Sequence, residues 1–552
     1  MPRLATVLAL ALLVLVRAGL CQQPANPDAI CASCHQGIVD TYEQTPMARG
    51  SGPVLDGLVQ GGFRHAPSGI DYRVFLRNSE AMLTYDRHAT SSKPALHGEE
   101  KLLYFIGSGQ RGRTYLYQQD HQWFEALINY YTRKALWDMA PAFGAVTSMP
   151  TALPVDANCL HCHTTSVQKA LPEARNRYTA APFLQAGIGC SACHGDPSVH
   201  LATKGHGAIV NPDKLSAARR DSACLQCHLE GDAAVFRANT SPVDFRAGDD
   251  LDAYAIYFVR ASAQTGGGRA ASQYEALLRS ACKSGVPGKA GAGDKLTCTS
   301  CHDPHSTPTE ANRVAFFRAK CLTCHTGAVI ATQHHPEQQD CATCHMPTRN
   351  TVDISHNQSI DHNIQRNPAT ANLRFTNPDE TVELVPVGKA TVTDRDLGLA
   401  YAQLAERGDR VSGQKALALL TKAEAAGQSD TPVHVQLGFL DQRSGDAAKA
   451  RAEYTAALQL NPYEPAALGN LAVLDASSGQ TAEAVQLLER VVRADPTQTA
   501  AGLNLAFIQC RLGDQEKARA TLDALARVSS DNPTLRTFRE TGMYGEQRCA
   551  LR

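Results

Sequence analysis

The 552-residue sequence predicts a mainly α protein in two parts, a motif-rich domain with a small antiparallel β insertion followed by an all-α superhelix of repeats. Three observations lead there. One five-residue pattern recurs seven times between residues 31 and 345, a strand-like stretch follows its first copy, and a 34-residue period takes over from about residue 395. Composition agrees with a folded chain: 43 % of residues are hydrophobic and 19 % charged, and 53 Lys+Arg stand against 54 Asp+Glu. That balance lacks the basic excess of a nucleic-acid binder.

At the start of the chain, Arg3 is followed by an apolar run from Leu4 to Val16 and by small residues at Ala18 and Gly19. Residues 1–21 therefore read as a secretory signal peptide, which sends the protein to the periplasm or the cell exterior, an oxidising place. No later run approaches the roughly 20 apolar residues a transmembrane helix needs. Leu20 stands directly before Cys21, where a lipidated cysteine would want a small residue.

Fourteen of the eighteen cysteines fall in seven C-x-x-C-H copies: Cys31-Cys34-His35, Cys159-Cys162-His163, Cys190-Cys193-His194, Cys224-Cys227-His228, Cys298-Cys301-His302, Cys321-Cys324-His325 and Cys341-Cys344-His345. At this Cys and His content chance supplies about 0.02 copies. Two thiols at that spacing add to the two vinyl groups on one edge of a porphyrin, and the adjoining His coordinates the iron from below. Zinc sites would not require a His after every second Cys, and disulfides have no use for it. The reading is seven covalently bound haem c groups in a domain spanning 22–363, with the seven His as proximal ligands and much of the core made of porphyrin. With propionates ionised the holoprotein is acidic, about −10, which suits a basic face on a redox partner.

Each iron has a sixth position to fill. Histidines tethered close to a motif are the first candidates, because a short tether forces them onto a neighbouring haem: His200, His305, His335, His356 and His362. Met47 is a further candidate, whose thioether would raise the potential of the first haem. His434, far along in the repeats, reads as a surface residue.

Between the first two motifs, Tyr72–Arg77, Ala81–Tyr85, Leu102–Ile106 and Thr114–Tyr117 are short, β-branched or aromatic, and separated by polar breaks, which predicts an antiparallel β insertion over about 60–135. Residues 107–112 match G-x-G-x-x-G, but a strand rather than a helix follows, so they read as a turn.

From about 395 the sequence turns to Ala, Leu, Gln and Glu. Gly445, Gly479 and Gly513 are 34 apart, as are Ala416, Ala450, Ala484 and Ala518, and Pro462 and Pro496. That is the tetratricopeptide period. Three repeats at 431–464, 465–498 and 499–532 follow an atypical one, within a domain spanning 395–541, and 364–394 is the linker. Such arrays hold a peptide or protein in their groove, or only shield or dimerise the domain they adjoin. Cys282 reads as a lone thiol in a Gly-rich loop, and Cys510 and Cys549 are available to pair.

These motifs, with Gly107-Ser108-Gly109, Arg111–Leu116, Trp137–Pro141, Cys190–Gly195, Cys298–His305 and Cys341–Pro347, resemble the multihaem c-type cytochromes with fused tetratricopeptide repeats, and more distantly the hydroxylamine-oxidoreductase and pentahaem nitrite-reductase superfamily. The resemblance implies electron transfer through closely packed haems, with His200, His305, His356 and His362 as distal ligands. The nitrite reductases carry C-x-x-C-K at the catalytic haem, and no such motif occurs here. The expected function is an exported electron carrier docked to redox partner proteins by its repeats, with a homo-oligomer also open. The alternative is a multihaem reductase or oxidase of a small nitrogen or sulfur compound at one open iron. No P-loop and no His-Glu-x-x-His is present.

Overall fold

The computed structural model describes residues 27–549 except 142, 262–268, 272, 287, 327–339, 352, 355 and 366–381. The signal peptide, Cys21 and His335 lie outside the described residues.

The chain enters through α1 (Ala29–Tyr42), which carries the first motif and leaves helical geometry at His35. A sheet of ten strands follows: β1 (Ser51–Pro53), β2 (Gly61–His65), β3 (Ile70–Arg77), β4 (Glu80–Arg87), β5 (Leu96–Ile106), β6 (Gly112–Gln119), β7 (Gln122–Glu125), β8 (Ile128–Tyr131), β9 (Leu136–Met139) and β10 (Leu153–Pro154). Its main path runs β10-β7-β6-β5-β4-β3-β2, with β1 on β5 and the β8–β9 pair on β6. Alternation sets the buried face. Ile70, Tyr72 and Val74 of β3 point inward, Tyr72 lies opposite Tyr85 and Val74 opposite Leu83. Phe124, Tyr115 and Ile128 complete this core. The insertion is larger than the sequence predicts, 51–154 rather than 60–135, because its outer strands are two to five residues long and too short to show a period. Residues 107–111 form the turn between β5 and β6.

Around the remaining motifs regular structure is sparse. Short helices carry or flank them: α2 (Ala157–His161), α3 (Ser191–His194), α4 (Ser198–Ala202), α5 (Ala217–His228), α6 (Gln273–Arg279), α7 (Ala281–Ser284), α8 (Glu310–Leu322) and α9 (Cys341–His345). They are joined by the hairpins β11 (Thr164–Val167) with β12 (Phe183–Ala186), β15 (Gly285–Val286) with β16 (Lys289–Ala290), and β17 (Thr348–Asn350) with β18 (Gln358–Ile360). Between them β13 (Ala233–Phe236) and β14 (Ala255–Arg260) pair, and β19 (Leu384–Pro386) adds to β14. Part of the predicted linker is thus a strand. Leu384 is buried against the repeats and its N–H donates to the Tyr401 hydroxyl, a tertiary contact that Pro- and Thr-rich composition does not reveal.

The repeats are helix pairs: α10 (Asp394–Glu406) with α11 (Arg410–Ala425), α12 (Thr431–Ser444) with α13 (Ala447–Leu460), α14 (Pro465–Ser477) with α15 (Thr481–Ala494), and α16 (Thr499–Arg511) with α17 (Gln515–Val528), closed by α18 (Pro533–Thr541). Ala416, Ala450, Ala484 and Ala518 are fully buried where paired helices touch. Gly445, Gly479 and Gly513 turn the chain between paired helices at φ of 90°, 83° and 89°, a region costly for a side chain. Cys510 of α16 pairs with Cys549, which ties the last residues across the end of the stack. His434 is not at the surface: it sits half-buried on α12, its Nδ1 2.8 Å from Glu453 of α13.

One edge of this stack lies against the β sheet and the strand–helix region. Arg87 of β4 makes a two-pronged ion pair with Asp531, both side chains 3 % exposed. Arg175 meets the buried Asp495, Ala152 N–H donates to Val528 O, and Arg237 pairs with Asp396 of α10.

Candidate haem centres

Each first cysteine of three motifs has its backbone N–H held by a carboxylate. Asp156, the N-cap of α2, accepts from Cys159; Asp28 accepts from Cys190; Asp221 accepts from Cys298. Asp340 caps α9 in the same way through Ala342 N–H. The caps at Asp156 and Asp340 leave a sequence signal, an Asp one to three residues ahead of the motif. Asp28 and Asp221 act across motifs and leave none.

These contacts bring the motifs together in an order that differs from the chain's. The Cys31 and Cys190 sulfurs lie within 4.8 Å of each other and of an Asp28 oxygen. Gln226, between the fourth pair of cysteines, donates to Ala192 in the third motif. The free Cys227 thiol donates to the His161 carbonyl and lies beside the Cys162 thiol, joining the fourth motif to the second. The Cys224 thiol lies beside that of Cys298, joining it to the fifth. Cys301 lies beside Cys324 and the thiol of Cys282, and the Cys321 thiol lies beside that of Cys341. The row is first, third, fourth, fifth, sixth, seventh, with the second attached at the fourth. Burial pushes the thiols up, Cys193 to about 11 and Cys159 to about 11, the latter also under Asp156.

The imidazoles pair across motifs. His35 faces His200 with ring centres 6.4 Å apart, His194 faces His305 at 5.9 Å, and His302 faces His362 at 6.2 Å. A metal–imidazole bond is about 2.0 Å and the ring centre lies about 1.1 Å further out, so two imidazoles on opposite sides of one iron have centres about 6.2 Å apart. All three pairs fit that spacing. Each joins a proximal His of an odd-numbered motif to a His that follows the next odd-numbered motif.

The free nitrogen fits as well. An imidazole ligand commonly donates its other N–H to a carbonyl, which fixes the ring. His194 Nδ1 lies 2.8 Å from Val210 O, His200 Nδ1 3.1 Å from Gly207 O, His345 Nδ1 2.7 Å from Gln365 O and His362 Nδ1 2.9 Å from Ile360 O. In His194, His200 and His362 these bonds leave Nε2 available. Burial also holds His163, His228, His302, His305 and His362 below the usual imidazole range, favouring the neutral form that binds metal.

Two candidates are placed elsewhere. His356 takes a left-handed backbone, φ 56°, packs against Tyr131 and spends its Nε2 on Asp138 at 2.7 Å. Proximity in sequence predicted it as a ligand, but that carboxylate occupies the nitrogen an iron would use. Met47 lies in the turn after α1, where its carbonyl accepts from Gly50 and Ile188, and the ring facing His35 belongs to His200. That turn is pressed against Gly187, where a Cβ would come 1.9 Å from the Ala48 carbonyl. Among the described residues no imidazole ring pairs in this way with His163, His228 or His325.

Comparison with known families agrees with this reading in three stretches. Residues 138–195 match cytochrome c554 and c-prime, 289–329 match the doubled CXXCH motif, and 441–491 and 475–540 match the tetratricopeptide repeat. These matches support a multihaem c-type cytochrome with covalently bound haem c and a C-terminal tetratricopeptide array. No curated protein matches it. Similar solved structures include a tetratricopeptide repeat protein from Parabacteroides merdae, 20 % identical over 25 % of this chain and 57 % of that one with a TM-score of 0.23. The protein YrrB is 20 % identical over 27 % and 73 % with 0.23, and MamA is 17 % identical over 25 % and 72 % with 0.22. Among the described residues no helix is long and apolar enough to cross a membrane.

Proposed function

We propose that this protein is an exported seven-haem electron carrier, with His200, His305 and His362 as distal ligands of the haems held by His35, His194 and His302, and with the repeats as the surface that receives a redox partner. Haem iron supplies one-electron carriage between its ferric and ferrous forms. The chain's part is to hold seven such groups in contact, to fix their imidazoles and to keep water from them. The observation that carries the reading is the set of three facing imidazole pairs, because a filled sixth position is what a carrier needs and an enzyme's reacting iron lacks. The unbroken row of motif contacts supports a conduit, and the Cys510–Cys549 disulfide supports an oxidising compartment.

A second reading keeps one iron open to a small nitrogen or sulfur compound. What favours it is that His163 and His228 sit deep in the motif row without a facing imidazole among the described residues. Low-temperature electron paramagnetic resonance of the oxidised protein, with optical spectra of the reduced protein under carbon monoxide, separates the two. The carrier reading expects low-spin iron throughout and no carbon monoxide adduct; a high-spin iron that binds carbon monoxide makes the enzyme reading correct. For ligand assignment, His305→Ala is expected to keep seven haems by mass and convert one iron to high spin. An unchanged spin state removes His305 from the ligand set.

A further inference from the structure

We propose that Glu424, His434 and Glu453 form a binding site for a divalent cation of the zinc type, which clasps the first two helix pairs of the array together. The site uses no motif residue and stands apart from the haem reading.

The three side chains come from three successive helices: Glu424 near the end of α11, His434 near the start of α12 and Glu453 in the middle of α13. His434 Nδ1 stands 2.8 Å from a Glu453 oxygen and 3.7 Å from a Glu424 oxygen, and the three atoms lie within 4.8 Å of one another. Ligand atoms bound tetrahedrally to zinc at about 2.0–2.1 Å lie about 3.3 Å apart, so both nitrogen–oxygen separations are within about 0.5 Å of that edge. The imidazole is carried on a fixed helix end. Asp430 caps α12 through the Val433 N–H, its carbonyl accepts the His434 N–H at 3.1 Å, and its carboxylate pairs with Arg395 of α10 at 2.5 Å.

The repeat supplies the independent observation. One period of 34 residues further on, the same three helix positions hold Leu458, Leu468 and Leu487, on α13, α14 and α15. Leu468 is fully buried there, and Leu458 and Leu487 pack against the core of that junction. A further period gives Val492, Gly502 and Thr521, and one period back gives Ala390, Ala400 and Leu419. None of these nine is charged. At one junction, then, all three positions are exchanged together for an imidazole and two carboxylates.

That exchange leaves charge unbalanced. Among the described residues His434 is the only basic group within ion-pair distance of Glu424 or Glu453. The His434 and Glu453 side chains are 13 % and 17 % exposed, so water solvates them poorly. A neutral imidazole leaves two negative charges between the helices and an imidazolium still leaves one, which is costly away from water. A divalent cation cancels both with the imidazole neutral. One imidazole and two carboxylates are ligands that zinc accepts, with water completing the set.

The test uses the full-length holoprotein, treated with chelator, loaded with zinc chloride and desalted. Metal analysis by mass spectrometry is expected to find one zinc per chain. X-ray absorption at the zinc edge, apart from that of iron, should show nitrogen and oxygen ligands at about 2.0 Å and no sulfur. Zinc should also raise the urea midpoint of the array, followed by far-ultraviolet circular dichroism. Glu424→Gln leaves the His434–Glu453 contact in place and is expected to weaken zinc binding about tenfold or more by calorimetric titration. The triple replacement Glu424→Leu, His434→Leu and Glu453→Leu copies the next junction, and is expected to fold, retain no zinc and show no zinc-dependent midpoint. Any of three results overturns the proposal: no zinc retained by the wild type, sulfur among the ligands, or equal affinity in the wild type and Glu424→Gln. If the triple variant does not fold, the Glu424→Gln titration decides alone.

Discussion

A histidine serves an iron only if the nitrogen aimed at the metal has no other partner, and here the hydrogen bond on the opposite nitrogen decides which residues qualify. His200 and His362 anchor Nδ1 on carbonyls, whereas His356 gives Nε2 to Asp138. The same local logic governs Glu100 on β5. Burial, partly offset by the Tyr85 hydroxyl, pushes its carboxyl up from 4.5 to about 7. The folded chain therefore holds this proton more tightly than the unfolded chain. The two states differ little below pH 4.5, stability falls as pH rises from there toward 7, and the loss persists above. Because the group is only half-buried, the full shift is discounted, and Glu100→Gln is expected to stabilise by about 1–2 kcal/mol at pH 8 and by nothing at pH 4. Chemical denaturation at both pH values checks it, and an equal effect at both would show that burial is not the cause. The seven motifs, and three of the histidines whose rings face a motif histidine, His200, His305 and His362, were legible in the sequence, since the C-x-x-C-H spacing is fixed and a short tether limits reach. The pairing of His35 with His200 was not, because it depends on which motifs meet in space. The His356–Asp138 contact joins residues far apart in the chain and left no local trace.

At the scale of elements, the repeats were the most readable part. A small residue must recur where helices touch, and a glycine must recur where the chain turns at positive φ, so Ala416 to Ala518 and Gly445 to Gly513 print the period directly. The sheet was only half-readable: long strands such as β3 and β4 alternate visibly, while β7 to β10 are set by pairing with neighbours already in place. The C-terminal end of the stack is held by covalent chemistry. Phe538, Leu535 and Cys549 bury against α16 and α17, and the disulfide closes a separation of 39 residues. Cys549→Ser is expected to destabilise the array by about 3 kcal/mol through the greater freedom of its unfolded chain. Urea unfolding followed by far-ultraviolet circular dichroism, away from haem bands, measures it. Reductant should lower wild-type stability by the same amount and leave the variant unaffected; a variant still sensitive to reductant would place the effect elsewhere.

For the whole molecule, the question is whether the array is a tethered module or a fixed wall of the cytochrome. The edge that carries Asp396, Asp495 and Asp531 is spent on contacts with Arg237 after β13, Arg175 between β11 and β12, and Arg87 of β4, so a partner can meet only the faces left open. The decisive contact is Arg87 with Asp531. Both are nearly inaccessible, Asp531 also accepts the Met149 N–H, and its carboxyl is held below the usual range by these bonds, against its burial. A buried pair of this kind adds little over well-packed apolar groups, but removing one partner strands the other. Arg87→Ala is therefore expected to weaken the docking by about 3–5 kcal/mol. The double replacement Arg87→Met with Asp531→Leu should recover most of that loss. The depressed carboxyl adds a direction in pH: its stabilisation is present above the ordinary Asp range and fades as pH falls through the lowered value, so docking should loosen in acid in the wild type and not in the double variant. Limited proteolysis with small-angle scattering checks both claims. A fixed wall gives a compact wild type, an Arg87→Ala form that is cut between the two parts and expands, and a double variant that is compact again. If Arg87→Ala scatters like the wild type at neutral and acid pH, the ion pair does not hold the array, and the repeats are bound through Arg175, Arg237 and β19 alone.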